Sequence, residues 1–381
     1  MDFDLSEEQR KIKEEIVRFA RNELGGDLID RDRRGVFSRE AWNKCAEMGI
    51  QGLPFPPEYG GSGADVLTTT VAMEGLGYGC RDNGLIFAIN AQMWSVQMPI
   101  WQFGSEEQKE KYLTRLCRGE WIGAHCMTEP NSGSDAFSLS TTAEKKGDVY
   151  VLNGSKTFAT NAPMADVFLV FAKTDRAKGF MGISAFILDR GLEGLRVGGE
   201  IEKMGLRTAP MAEVVFEDCG VPAENRLGPE GAGSRLFNSS MEWERACLLA
   251  AYSGAMERQL EACIRYARER RQFQRPIAKF QAVANKIVDM KVRLETARLL
   301  LYKVAWLKQN RKEVALEAAM AKLYLSECWV QSSLDAIQIH GGYGYTTEFE
   351  MERELRDAIS SRIYSGTSEI QKNIIAFNLQ L

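Results

Sequence analysis

The chain has 381 residues, 45% of them hydrophobic and 26% charged, with a formal net charge of -4. That length exceeds the roughly 250–300 residues at which one core stops growing, so two or three core-forming units are expected. The charge offers nucleic acid no long-range attraction, and no stretch reaches the roughly 20 apolar residues of a membrane span; the longest candidate, Leu299 to Leu307, is broken by Lys303.

The N-terminal stretch, Met1 to Glu14, is acidic and amphipathic, with no basic segment leading into an apolar run. No targeting signal is read there, and a cytoplasmic protein is expected. Ser6 and Gln9 predict a capped helix, on which Ile12, Ile16, Phe19 and Ala20 recur at helical spacing. Pro54 to Gly63 is a turn-rich break, after which helices are predicted over Val66 to Leu76 and around Ser105 to Leu116. Trp94, Met98 and Trp101, at spacings of four and three, suit core packing or a pocket wall.

From residue 119 to 230 the pattern changes to short β-rich runs: Val149 to Leu152, Val167 to Ala172, Ile183 to Leu188 and Val214 to Phe216. Turn residues separate them, which predicts an antiparallel sheet or small barrel. From residue 231 to 381 the period is helical again, and Asn285 to Gln309 reads as a helix buried along much of its circumference. The fold class is therefore α+β, mostly α, in three domains spanning 1–118, 119–230 and 231–381. Strands never alternate with helices, which disfavours a doubly wound nucleotide fold. The eight cysteines are scattered singly and there are only two histidines, His125 and His340, so neither a metal site nor a disulfide framework is expected.

Five segments carry chemistry. Met127 to Asp135 (MTEPNSGSD) is rich in hydroxyls and backbone N–H groups that can bond a polar ring edge or a phosphate. In Lys156 to Asn161, strand alternation sends Phe158 and Thr160 the same way, so a planar ligand could be packed by one and hydrogen-bonded by the other. Arg268 to Gln281 sets guanidinium groups, suited to pyrophosphate oxygens, beside Phe273. Asp335 to Tyr345 ends a helix in glycines that let backbone approach a ligand. The fifth segment runs from Arg356 to Gln371. Each alone also suits a helix cap, a core aromatic or a solvated helix end.

In this order, and with Tyr59-Gly-Gly61 and Lys203 to Arg207, the segments resemble the acyl-CoA dehydrogenase family over nearly the whole chain. The resemblance implies an N-terminal helical domain, a middle β-barrel domain and a C-terminal four-helix bundle. It also implies a homotetramer, a dimer of dimers, with FAD at the dimer interface. Carried over by motif, flavin contacts fall to His125, Met127, Thr128, Gly133 and Ser134 on one side and to Phe158 and Thr160 on the other. Arg270, Gln272, Phe273, Gln338, Gly341 and Gly342 would reach FAD from the neighbouring subunit, and Thr367 and Glu369 from the last helical region. Phe158 stands where the family usually has Trp, and His125 where Tyr or Phe is frequent.

The implied reaction removes an α-proton from a thioester while the β-hydrogen leaves as hydride, which requires a carboxylate of raised pKa. In many members that carboxylate precedes Gly-Thr in the last motif; here the position is Ser365, a hydroxyl with no activating partner nearby in the sequence. A minority place the base on the first helix of the C-terminal domain, which here gives Glu244, directly before Arg245. Glu242 lies about 200° around a helix from Glu244, so both cannot face one flavin. Arg245 and Ser365 are expected to contact substrate.

Met241 to Arg245, Asn161 to Asp166 and Arg362 to Thr367 resemble the subgroup that oxidises prolyl groups on peptidyl carrier proteins. Three readings stay open on these residues: a dehydrogenase of carrier-bound aminoacyl or short acyl thioesters; a short- or branched-chain acyl-CoA dehydrogenase passing electrons to an electron-transfer flavoprotein; and a silent flavin-binding homologue. An acyl-CoA oxidase is a further variant.

Overall fold

The computed structural model describes residues 4–381, so the first three residues of the Met1 to Glu14 stretch lie outside it. The first helix, Glu7–Glu23, starts at a capping box in which the Ser6 hydroxyl accepts from the Gln9 N–H and the Gln9 side chain accepts from the Ser6 N–H. Its Ile16 and Ala20 are buried against the helix Val66–Gly79. Val66–Gly79 is buried along most of its length, Thr69, Thr70 and Glu74 included. A Cβ on its Gly77 would stand 1.7 Å from the Ala251 carbonyl oxygen, so only glycine admits the helix Ala250–Glu269 this closely. The N-terminal and C-terminal helical regions thus share one core.

Between Asn83 and Phe103 the chain runs as a helix Asn83–Gln92, a π-helical turn Met93–Gln97 and a helix Met98–Phe103. This run is buried on nearly every side, so its sequence carries no amphipathic period. Trp94 and Met98 are fully buried in it and Trp101 packs against the same core.

The middle region is one eight-stranded sheet: β1 (Gly123–Cys126), β2 (Thr142–Lys146), β3 (Val149–Thr160), β4 (Val167–Lys173), β5 (Ile183–Asp189), β6 (Leu195–Glu200), β7 (Met211–Pro222) and β8 (Arg226–Leu227). The order is β6-β7-β3-β2-β4-β5-β8, with β1 beside β4. Most neighbours are antiparallel, but β1 and β2 each run parallel to β4. Tyr150, Phe168, Phe186 and Phe216 fill this region's own core.

The C-terminal region packs Ala250–Glu269, Gln281–Gln309 and Ala315–His340 side by side, with Met351–Ser360 and Ser368–Asn378 against the third. Here one expectation is corrected. Gln281–Gln309 is not buried along most of its circumference: Met290, Leu294, Ala297, Leu301, Val304 and Ala305 form one buried stripe. Val288, Val292 and Leu299, spaced by four and seven, form a second apolar stripe that is more than half exposed. Apolar composition reported two separate faces, only one of which meets this chain. All eight cysteines are buried. Among the described residues, no helix is long and apolar enough to cross a membrane.

Candidate active site

Two confluent cavities meet where the sheet abuts the C-terminal helices. They share Thr128, Gly133, Ser134, Ser365 and Gly366. The larger, of about 620 Å³, is further walled by Phe158, Thr160, the loop Lys203–Leu206 and Thr367. The smaller, of about 320 Å³, takes in His125, Met127, Glu244 and Arg245.

The loop after β1 is fixed from behind by a buried ion pair. Lys156 Nζ on β3 lies 2.8 Å from Glu129 Oε1 and also donates to the Met127 carbonyl at 3.1 Å. Glu129 further accepts from the Ser140 N–H and hydroxyl and from the Thr141 N–H. Burial works to raise the Glu129 carboxyl, but the Lys156 ammonium and these donors outweigh it and hold the carboxyl well below the usual range. The Thr157 N–H reaches the Thr128 carbonyl at 2.8 Å, which ties the loop to the strand.

On β3, the pairing with β7 shifts register between Lys156 and Ala159. At that bulge Phe158 takes φ 55° and presents a ring 59% exposed. A left-handed aromatic residue facing a cavity costs stability unless something covers it. Phe158 and Thr160 face the same cavity, and a Cβ added to Gly133 would meet nothing within 4 Å. This apolar wall, hydroxyls and open backbone fit a planar flavin ring.

Glu244 is 8% exposed and sits in a π-helical turn, Glu244–Leu248, that interrupts its helix. π-turns are rare and frequent at functional sites. Ser95 Oγ donates to Glu244 Oε2 at 2.7 Å and Ser365 Oγ to Oε1 at 2.6 Å. Burial raises the carboxyl, while the hydroxyls of Ser365 and Ser95 and the charges of Arg245 and Lys322 oppose the rise without cancelling it. Ser365 has φ 55° and Gly366 φ 90°. This bend is held by Arg245 Nε, which donates to the Ser365 carbonyl at 3.0 Å, and by the Gln371 amide, which donates to both carbonyls. Ser365 therefore has the partner that its sequence neighbourhood lacks, because Glu244 is brought to it from 121 residues away. Glu242 points elsewhere, to Lys308 at 3.3 Å, and lines a separate surface depression.

His125 packs its ring between Phe171 and Phe237, with centroids 5.3 and 6.0 Å away. Burial, with the Lys156 charge adding to it, pushes this imidazole down to about 4. It is neutral at physiological pH. Trp94 and Met98 line neither cavity; Trp94 stacks on Trp243 at 6.0 Å and donates to Asn90 Oδ1.

The remaining sequence-predicted residues gather differently. Arg270, Gln272, Phe273, Gly341 and Gly342 line a third cavity, of about 600 Å³, with Tyr266 and Tyr343. Phe273 is 86% exposed there. Thr367 caps Ser368–Asn378 by accepting from the Ile370 N–H and lines the larger cavity. Gln338 and Glu369 are exposed and line none of these three cavities. Ser95 was not read from the sequence; it stands in Gln92-Met93-Trp94-Ser95-Val96-Gln97, where other polar residues surround it and no motif marks it.

Comparisons with known proteins bear on the family and the fold. The N-terminal, middle and C-terminal domains described for acyl-CoA dehydrogenases match residues 6–120, 124–219 and 231–380. The chain is 44% identical over 381 residues to the L-prolyl-[peptidyl-carrier protein] dehydrogenase of Serratia sp. (strain ATCC 39006), covering 100% of this chain and 99% of that protein. The crystal structure of the prolyl acyl carrier protein oxidase AnaB superposes with a TM-score of 0.98 at 54% identity, over 99% of this chain and 100% of that one. The structure of PigA with FAD and proline superposes with a TM-score of 0.98 at 44% identity, over 100% of both chains.

Proposed function

The chain belongs to the acyl-CoA dehydrogenase family, and from that premise we propose that it is an FAD-dependent enzyme that dehydrogenates an L-prolyl group carried as a thioester on a peptidyl carrier protein. The observation that carries this reading is the Glu244 carboxyl, buried and gripped by two hydroxyls in the smaller cavity, which shares Ser365 with the flavin-shaped one. When bound, FAD accepts the β-hydrogen as hydride, and an electron-transfer flavoprotein or oxygen re-oxidises it.

Glu244 takes the α-proton. The Cα–H electron pair becomes the new Cα=Cβ bond as the β-hydrogen departs, so one turnover removes two hydrogens. A carboxyl raised by burial is more basic than a solvated one, which suits it to take a carbon-bound proton. Arg245 fixes the Ser365–Gly366 bend across the cavity. Phe158 would cover one face of a flavin bound there, and Thr128, Ser134 and Thr160 would offer hydroxyls to its edge. Neutral His125 and Phe237 wall the smaller cavity without adding charge.

The exposed stripe Val288, Val292 and Leu299 suits burial against further copies, and the cavity of Arg270, Gln272 and Phe273 is read as completing a neighbour's cofactor site. The assembly is then a homotetramer, with domains divided near residues 118 and 230. Buried thiols suit a reducing cytoplasm.

The test is mass spectrometry of an L-prolyl-loaded carrier protein after incubation with enzyme and an electron acceptor. Loss of two or four hydrogens is expected. An unchanged prolyl group, with oxidation of a short acyl-CoA instead, would overturn the substrate assignment.

A further inference from the structure

Resting on the assignment of Glu244 as base, we propose that Ser95 is a positioning residue of the reaction: its hydroxyl and that of Ser365 take one oxygen each of the Glu244 carboxylate and fix it for proton removal. The argument begins with burial. Ser95 is 3% exposed within the buried π-turn Met93–Gln97, and a hydroxyl buried there costs free energy unless it is bonded. Its partner is Glu244, 149 residues away and itself in a π-turn.

The two turns are held in register by the residues that precede the pair. Trp94 and Trp243 stack with centroids 6.0 Å apart and planes 5° from parallel, so Ser95 and Glu244 follow the same stacked platform. The hydroxyl contact is thus built from both sides rather than left to a rotamer.

A carboxylate has about four lone-pair directions. Two are occupied by hydroxyls and none by a cation: Arg245 spends its Nε on the Ser365 carbonyl, and the Lys322 Nζ, buried on Ala315–His340, has no hydrogen-bond partner. A direct guanidinium pair would stabilise the anion too well for it to act as a base. Two neutral donors orient the anion and leave it basic. The charged and titratable groups that face Glu244 are Arg245 on its own turn, Lys322, and the phenols of Tyr252 and Tyr364, both buried.

Removing one donor disfavours the anion, so the proton-free base appears only at higher pH. The test is anaerobic stopped-flow bleaching of the bound flavin by L-prolyl-loaded carrier protein, followed against pH. In Ser95→Ala the midpoint of the rate profile should rise by about one to two units. Ser95→Thr should restore it, and Ser95→Cys, a weak donor, should fall between. Bound FAD absorbance reports folding for each. An unshifted midpoint in FAD-loaded Ser95→Ala or Ser95→Cys, or a uniform loss at every pH, overturns the proposal. Glu244→Gln is run alongside: if it bleaches as fast as the unmodified enzyme, the base assignment fails, whereas an inert Glu244→Gln with an unshifted Ser95→Ala defeats only the role of Ser95.

Discussion

Lys156→Met would strip the charge from behind the flavin loop. Side-chain exposure is 0% for Lys156 and 2% for Glu129, so water cannot replace the lost partner. Removing one member of a buried, hydrogen-bonded pair costs about 3–5 kcal/mol, because the other charge stays buried alone. At about 2.1 cal/mol/K of unfolding entropy per residue, this chain should melt roughly 4–6 °C lower. The Met127 carbonyl also loses its donor, so the loop and FAD retention should loosen together. Differential scanning calorimetry of the FAD-free protein gives the first quantity and FAD titration the second. Lys156→Met with Glu129→Gln, which removes the stranded charge and keeps one acceptor oxygen for the Ser140 N–H and hydroxyl while leaving the Thr141 N–H unpaired, should regain part of the loss. The contribution of the Glu129 carboxylate to the unmodified protein's stability should be full above the unfolded carboxyl value of about 4.3 and fade as pH falls through it towards the depressed native value. A drop below about 1 °C, or a double variant no better than the single one, would refute the reasoning.

Glu242→Gln should leave flavin bleaching unchanged and move stability by under about 1 kcal/mol, since it breaks only a partly exposed pair with Lys308; stopped-flow rates check it. Phe158→Ala should weaken FAD binding about tenfold, the equivalent of one lost aromatic contact, while the FAD-free protein melts within about 1 °C of the original because the ring is already exposed. Val292→Glu should shift the assembly from a tetramer to smaller species in sedimentation or light scattering; an unchanged particle mass would remove that stripe from the interface.

Local signals carried much of the fold. Ser6 and Gln9 announce the first helix because the capping box is short-range, and Ile183 to Leu188 announces β5 because a fully buried strand is continuously apolar. Elements set by distant partners left less trace. Asn83–Phe103 is buried on nearly every side, its polar residues included, so its sequence has no exposed face to mark it. Leu195–Glu200 is an edge strand, mostly exposed and carrying two glycines, and reads as loop. The lining of both cavities was legible where loops bear hydroxyls and glycines in a fixed order, as in Met127 to Asp135. Ser95 was not, because its meaning comes entirely from Glu244 across the fold. The exposed stripe of Gln281–Gln309 was visible as hydrophobicity but not as a separate face, since composition does not say which chain covers it.

The most direct measurement is anaerobic single-turnover bleaching of Glu244→Gln by the thioester that bleaches the unmodified enzyme. The amide keeps the volume, accepts one of the Ser95 and Ser365 hydroxyls on its oxygen and donates to the other from its NH2, but cannot take a carbon-bound proton. FAD should remain bound and the rate should fall by about 10²–10⁴-fold, the usual contribution of a general base. Bleaching at an undiminished rate would contradict the account.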